Sequence, residues 1–268
     1  MGRRTIIDAH HHLWDTRRLH YALLDTIPAL NRPFAAAAFD RVAACHGVQR
    51  SVCVEAASAG ANGLAETRWL LEQVASSALV DRLVVWAPIE RPECHDYLEQ
   101  IVAMHSGRIV GVRRSFEFEP ADFPRYDQTI AGVTLLAAYD LSFDLVLYER
   151  SLPAVLELVR ACPGVQFVLD HLGKPAIRER MLHPWQELLA QLAACDNVCC
   201  KISGLMNEAG PGWRRDDLRP YIDHAIACFG WDRVLFGSDW PVCTVAGTYE
   251  EWLAVVEWAV AQASEEDQ

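Results

Sequence analysis

Two short motifs stand at opposite ends of the 268-residue chain, Asp8-Ala9-His10-His11-His12 and Gly237-Ser238-Asp239-Trp240-Pro241. Each directly follows an apolar, strand-like run. A strand sends alternate side chains to the same face, so His10 and His12 share one face while His11 points the other way. Two imidazoles on one face can hold an ion or polarise an oxygen, although a lone His-x-His also ends many buried strands. Asp239 is what gives the pair a chemical reading. If the first and last strands are neighbours in a closed barrel, two histidines and a carboxylate meet at one mouth. Asp239 would there take a proton from water as that water attacks an electrophilic carbon; its alternative role is to cap the segment at Pro241.

The elements that must bring these residues together are eight runs rich in β-branched and apolar side chains, at 5–10, 50–55, 83–88, 109–114, 141–146, 165–171, 198–203 and 234–239. Each is followed by a segment that can form a helix. The pattern is clearest at 62–77, at 152–161 with Pro153 near its start, at 218–229, and at 249–263, where Thr248 is a natural N-cap. Strand and helix alternating from end to end predict parallel strands with helical crossovers, and eight such units predict one (β/α)8 TIM barrel spanning 1–268. The long stretch from Leu13 to about Arg32 is the one extended connection, at the end of the barrel where loops carry substrate contacts.

In such a barrel the C-terminal strand ends build the site. Read in order they offer His10 and His12, Glu55, Arg113 and Arg114, Asp170 and His171, Lys201 and Ser203, and Asp239. An inward Glu55 needs a partner among apolar neighbours: a metal, a substrate hydroxyl or an arginine. Only one of Arg113 and Arg114 can point inward, and parity leaves open which. His171 is placed to donate to a carbonyl or to bind a metal beside His10 and His12, with a buried structural histidine as the alternative. Ser238 has the wrong parity to share the pocket with Asp239. No phosphate-binding glycine loop and no Gly-x-Ser-x-Gly turn occurs.

A formal charge of −12 argues against nucleic acid and anionic membranes as partners. The start of the chain has no secretory pattern, no run is long enough to span a membrane, and the expected compartment is the cytoplasm. Nine cysteines fit reduced thiols there. Adjacent Cys199 and Cys200 would face opposite ways on a strand, which argues against a metal cluster with Cys195. The final Ser-Glu-Glu-Asp-Gln reads as a solvated acidic tail, and the sequence carries no signal for oligomeric state.

Four ordered stretches, Ile7 to Asp15, Val168 to Pro175, Cys200 to Leu205 and Leu235 to Pro241, together with Ser142-Phe143-Asp144-Leu145, resemble the amidohydrolase superfamily. The similarity is to its sugar-acid lactonase branch, the L-fuconolactonase and L-rhamnonolactonase type, and more distantly to 2-pyrone-4,6-dicarboxylate lactonase. The resemblance implies a barrel hydrolase with His10, His12, His171 and Asp239 at the catalytic positions and water attacking a lactone carbonyl. Strand five lacks the histidine of binuclear members and strand four offers arginine where they carry a bridging lysine. The expected cofactor is therefore at most one divalent, zinc-like ion on His10, His12 and Asp239, with a metal-independent enzyme as the alternative. The substrate would be a small neutral lactone gripped by Glu55, an inward arginine such as Arg113, Lys174, Trp14 and Trp240. A metal-dependent aromatic acid decarboxylase and a catalytically silent binding barrel are the rival readings.

Overall fold

β-branched and aromatic side chains pack well on a pleated, buried surface, and the runs rich in them become strands. The computed structural model describes residues 5–56, 62–104, 107–261, 263 and 264. Its strands are β1 (Ile6–His12), β2 (Val48–Val54), β3 (Val80–Trp86), β4 (Ile109–Arg113), β5 (Ser142–Leu145), β6 (Phe167–Leu169), β7 (Val198–Ile202) and β8 (Val234–Phe236). They form one sheet in sequence order, every adjacent pair parallel. Parallel neighbours need a long crossover. It is supplied by α1 (Ala36–Ala43), α2 (Gly63–Ser76), α3 (Cys94–Met104), α4 (Asp127–Leu135), α5 (Leu152–Ala161), α6 (Trp185–Ala193) and α8 (Arg215–Phe229), with α9 (Tyr249–Val260) after the last strand. A short extra helix, α7 (Leu205–Ala209), follows β7.

The ring closes where the two terminal motifs meet. The backbone N–H of Asp239 donates to His10 O at 2.7 Å and that of His12 to Trp240 O at 2.6 Å. Gly237 makes the approach possible: a Cβ there would lie 2.6 Å from the Cβ of His10. The result is an eight-stranded TIM barrel, as the alternation of elements predicts.

Helix ends follow local chemistry. Thr248 Oγ1 accepts from the backbone of Glu251 at 3.1 Å and starts α9. The apolar face of α5, with Leu152, Val155, Leu158 and Val159, is buried against the barrel, each side chain contributing roughly 1.5–3 kcal/mol. His11 points outward as its parity requires, stacked 3.7 Å from the Phe39 ring of α1 and 3.0 Å from Ser51 Oγ. All nine cysteines are free thiols, and no metal-like cluster among the described residues includes one. No helix among the described residues is long and apolar enough to cross a membrane. The acidic tail beyond Ser264 lies outside the described residues.

Candidate active site

β1 delivers His10 and His12 inward, and the turn after β8 brings Asp239 to them. His10 Nε2 and His12 Nε2 lie 3.1 Å apart. Asp239 Oδ1 is 3.7 Å from the first and 3.5 Å from the second. Asp239 takes a left-handed backbone, φ 57°, which Asp and Asn tolerate better than most residues. All three side chains are buried.

The far nitrogens of the two rings fix what the near ones can do. His12 Nδ1 lies 2.9 Å from Val54 O and 3.0 Å from Glu55 O, both acceptors only, so Nδ1 carries the proton. His10 Nδ1 lies 3.1 Å from Asp170 Oδ1. Lys201 Nζ is also near, at 3.3 Å, but its ammonium is spent on Asp144 and on Asp170, the latter at 3.0 Å. His10 Nδ1 therefore donates to Asp170. Both Nε2 lone pairs then face each other with a carboxylate oxygen alongside, an arrangement that calls for a proton or a cation between them.

Burial pushes the His10 imidazole well below its ordinary value, and the Asp170 carboxylate only partly restores it. Burial alone would raise the Asp239 carboxyl, but His171, His12 and His10 hold it well below the usual carboxylate range. A neutral His10 beside an ionised Asp239 is a donor set suited to a cation or to a water proton.

Behind this corner lies a buried ionic frame. Arg113 Nε donates to Glu55 Oε1 at 2.6 Å, and its other nitrogens reach Glu55 O at 2.5 Å and Asp170 Oδ2 at 3.2 Å. Burial opposes the guanidinium charge, yet Glu55 and Asp170 hold it above its ordinary value. Arg114 faces outward instead, to Glu90 at 3.1 Å and to Glu119. Parity is thereby resolved: Arg113 is the inward arginine.

β6 ends at Leu169, two residues before the predicted end at His171. His171 and Leu172 both turn left-handed, with φ of 54° and 55°. The buried Trp185 indole, donating to Leu172 O at 2.7 Å, secures that turn. His171 is thus delivered by a tight turn rather than by strand parity. Its Nδ1 lies 2.9 Å from Ser203 Oγ, and burial lowers its pKa against the pull of Asp239 and Asp170. Gly204, at φ 70°, passes directly over the ring: a Cβ there would be 2.6 Å from His171 Nδ1.

A cavity of about 290 Å³ opens over these groups, lined among others by His12, Arg113, His171, Lys174 and Asp239. The extended connection after β1 reaches the cavity and contributes Trp14, Leu23, Leu24 and Ile27 to its lining. The family model for amidohydrolases matches residues 7–268.

The chain belongs to the amidohydrolase family. It is 33% identical to L-fucono-1,5-lactonase of Burkholderia multivorans over 96% of this chain and 90% of that protein. L-fucono-1,5-lactonase of Burkholderia ambifaria is 31% identical, over 94% of this chain and 86% of its own. A crystal structure of an amidohydrolase from Burkholderia multivorans with bound zinc superposes with a TM-score of 0.88 at 31% identity, covering 98% of this chain and 94% of the other.

In this amidohydrolase the donor set fits one divalent ion. His10, His12 and Asp239 each present one ligand atom, all within 4.8 Å of one another, and each imidazole turns Nε2 inward while its Nδ1 is engaged from behind, the orientation a metal ligand needs. Lys201 and Arg113 occupy the adjoining barrel interior as fixed cations.

Of the remaining sequence-selected residues, Lys174 lies on the cavity wall and Trp14 lines it, anchored through Nε1 to Leu30 O and Arg32 O. Glu55 is buried behind Arg113, and Trp240 packs against Phe34 and Phe39; neither is among the lining residues. Sequence reasoning passed over Ser115, Glu117, Tyr148, Asn207 and Glu208, all on the cavity wall. They sit in loops and on α7, where no strand parity marks them.

Proposed function

We propose that this protein hydrolyses a sugar-acid lactone, with Asp239 as the base that activates water. The observation that carries the reading is the convergence of His10, His12 and Asp239, of which His12 and Asp239 line the cavity. The two L-fucono-1,5-lactonases among its relatives support a six-membered sugar lactone as substrate.

Water attacks the lactone carbonyl carbon as Asp239 takes its proton, and a tetrahedral oxyanion forms. His171 is oriented for that oxyanion. If Ser203 donates its hydroxyl proton to His171 Nδ1, the ring's Nε2–H is left to donate to the former carbonyl oxygen. Collapse of the intermediate breaks the ring C–O bond. The proton held by Asp239 goes to the departing ring oxygen, and a hydroxy acid results. Arg113 and Lys174, both on the cavity wall, orient the ring.

His10, His12 and Asp239 would hold a single zinc-like ion, which supplies Lewis acidity toward the carbonyl when bound. Metal analysis of the purified protein tests this part: about one equivalent per chain is expected for a three-ligand site with an open position.

The test of the reading is a panel of aldono-1,5-lactones assayed with a pH indicator, with and without chelator. Acid release above the uncatalysed rate is expected for at least one. Silence across the panel, or carbon dioxide release from aromatic acids instead, would overturn it.

A further inference from the structure

The cavity lining is mixed: Leu24, Ile27, Val242 and Val245 are apolar, while among its polar groups Lys174 stands between Glu117 and Glu208. Lys174 Nζ is 2.5 Å from Glu117 Oε1 and 3.5 Å from Glu208 Oε1. The three side chains are only 14–21% exposed, so solvent screens them poorly. Ser115 Oγ donates to the second Glu117 oxygen at 3.2 Å.

One ammonium against two carboxylates leaves this wall with surplus negative charge. Burial pushes the Glu208 carboxyl up, Lys174 pulls it down and Glu117 adds to the rise, as expected where negative charge already crowds. Arg113 does not reverse the balance, because Glu55 and Asp170 neutralise it from behind. Acceptors also outnumber donors. Each carboxylate oxygen has two lone pairs, so both groups keep capacity after meeting Lys174 and Ser115. Asn207, on the same wall, gives its amide nitrogen to Val242 O at 3.1 Å, while its Oδ1 finds no partner among the described residues. Such a wall is complementary to groups that donate hydrogen bonds and carry no negative charge.

We propose that Glu117 and Glu208, bridged by Lys174, are specificity-determining residues that accept hydrogen bonds from neighbouring hydroxyls of an uncharged lactone and reject lactones bearing a carboxylate. This rests on the lactone reading and adds to it the residues that sense the charge of the substrate. A carboxylate-bearing ring would bring a third negative charge to a wall with one cation. A sugar hydroxyl instead meets an oriented acceptor.

Two measurements on the wild type, Glu117→Gln and Glu208→Gln test the assignment. The first compares kcat/KM for a neutral aldono-1,5-lactone and for a lactone of the same ring size with a terminal carboxylate. The wild type should favour the neutral ring by about tenfold or more, and each variant should narrow that ratio by about tenfold while raising KM for the neutral ring, since one like charge and one ionic acceptor are gone. The second titrates the corresponding δ-lactams, neutral and carboxylated, by calorimetry, which needs no turnover. Absence of turnover with the neutral lactam still preferred overturns the lactonase reading and upholds the pair's role. Equal binding of the two lactams by the wild type, binding of neither, or a preference unchanged in both folded variants overturns the role itself. Thermal unfolding of each variant establishes that it is folded.

Discussion

Glu55→Gln separates a residue that touches substrate from one that acts through another. Glu55 accepts from Arg113 Nε at 2.6 Å inside the barrel, and Arg113 is also held by the Glu55 carbonyl at 2.5 Å and by Asp170 at 3.2 Å. Glutamine keeps the volume and one acceptor but removes the charge, so the loss is that of a charge-assisted hydrogen bond, about 2 kcal/mol. At about 2.1 cal/mol/K of unfolding entropy per residue, the 268 residues give about 0.56 kcal/mol/K. Each kcal/mol then lowers Tm by about 1.8 °C, and Glu55→Gln by about 4 °C. Arg113→Met removes the guanidinium from the buried Glu55 carboxylate and one of the partners of Asp170, which keeps Lys201 at 3.0 Å, and should cost about 3–5 kcal/mol, or about 5–9 °C. The decisive assay is steady-state kinetics on the two single variants and their combination. Because Glu55 lies behind Arg113, the double variant should be no slower than Arg113→Met alone. Additive losses in kcat/KM would mean that Glu55 contacts substrate directly, and the reasoning would be refuted.

Other consequences are open to measurement. Ser203→Ala removes the hydroxyl 2.9 Å from His171 Nδ1; about a tenfold fall in kcat with little change in Tm is expected, by analogy with other orienting hydrogen bonds, and an unchanged kcat would remove Ser203 as a positioning residue. Gly204→Ala combines a left-handed backbone with a Cβ 2.6 Å from the His171 ring, so a loss of about 1–2 kcal/mol or more by thermal unfolding should accompany reduced kcat; a neutral substitution would contradict the packing described. Burial raises the Glu117 carboxyl, but Lys174 draws it below its ordinary value. An acid depressed in the folded state stabilises above its unfolded pKa and loses that contribution as pH falls toward the folded one. The Tm advantage of the wild type over Glu117→Gln should therefore shrink between about pH 6 and pH 3, and a gap that widens on acidification would be inconsistent with the ion pair.

The barrel was legible because parallel strands buried on both faces write themselves as apolar runs, and eight of them alternate with amphipathic segments. Parity on β1 separated His10 and His12 from His11; β8, expected to run to Asp239, stops at Phe236, and a left-handed turn rather than parity sets the direction of Asp239. Where parity lapses, legibility lapses too. β6 stops at Leu169, and a left-handed turn sets the direction of His171. Arg113 and Arg114 were ambiguous until the end of β4 was known. Glu117, Asn207 and Glu208 reach the cavity from loops and α7, whose paths depend on tertiary packing rather than on any period in the sequence. Glu55, at an expected strand end, and Trp240, just past one, show the converse: neighbours in space take up the carboxylate of one and the ring of the other.

Asp239→Asn tests the central claim most directly. Asparagine accepts the left-handed backbone at this position and keeps the side-chain volume, so the fold should survive while the base is lost. A fall in lactone turnover of at least about 10²-fold, as for loss of a general base, is the result the mechanism requires. Turnover within a few-fold of the wild type, in a variant that unfolds at the same temperature, would contradict it.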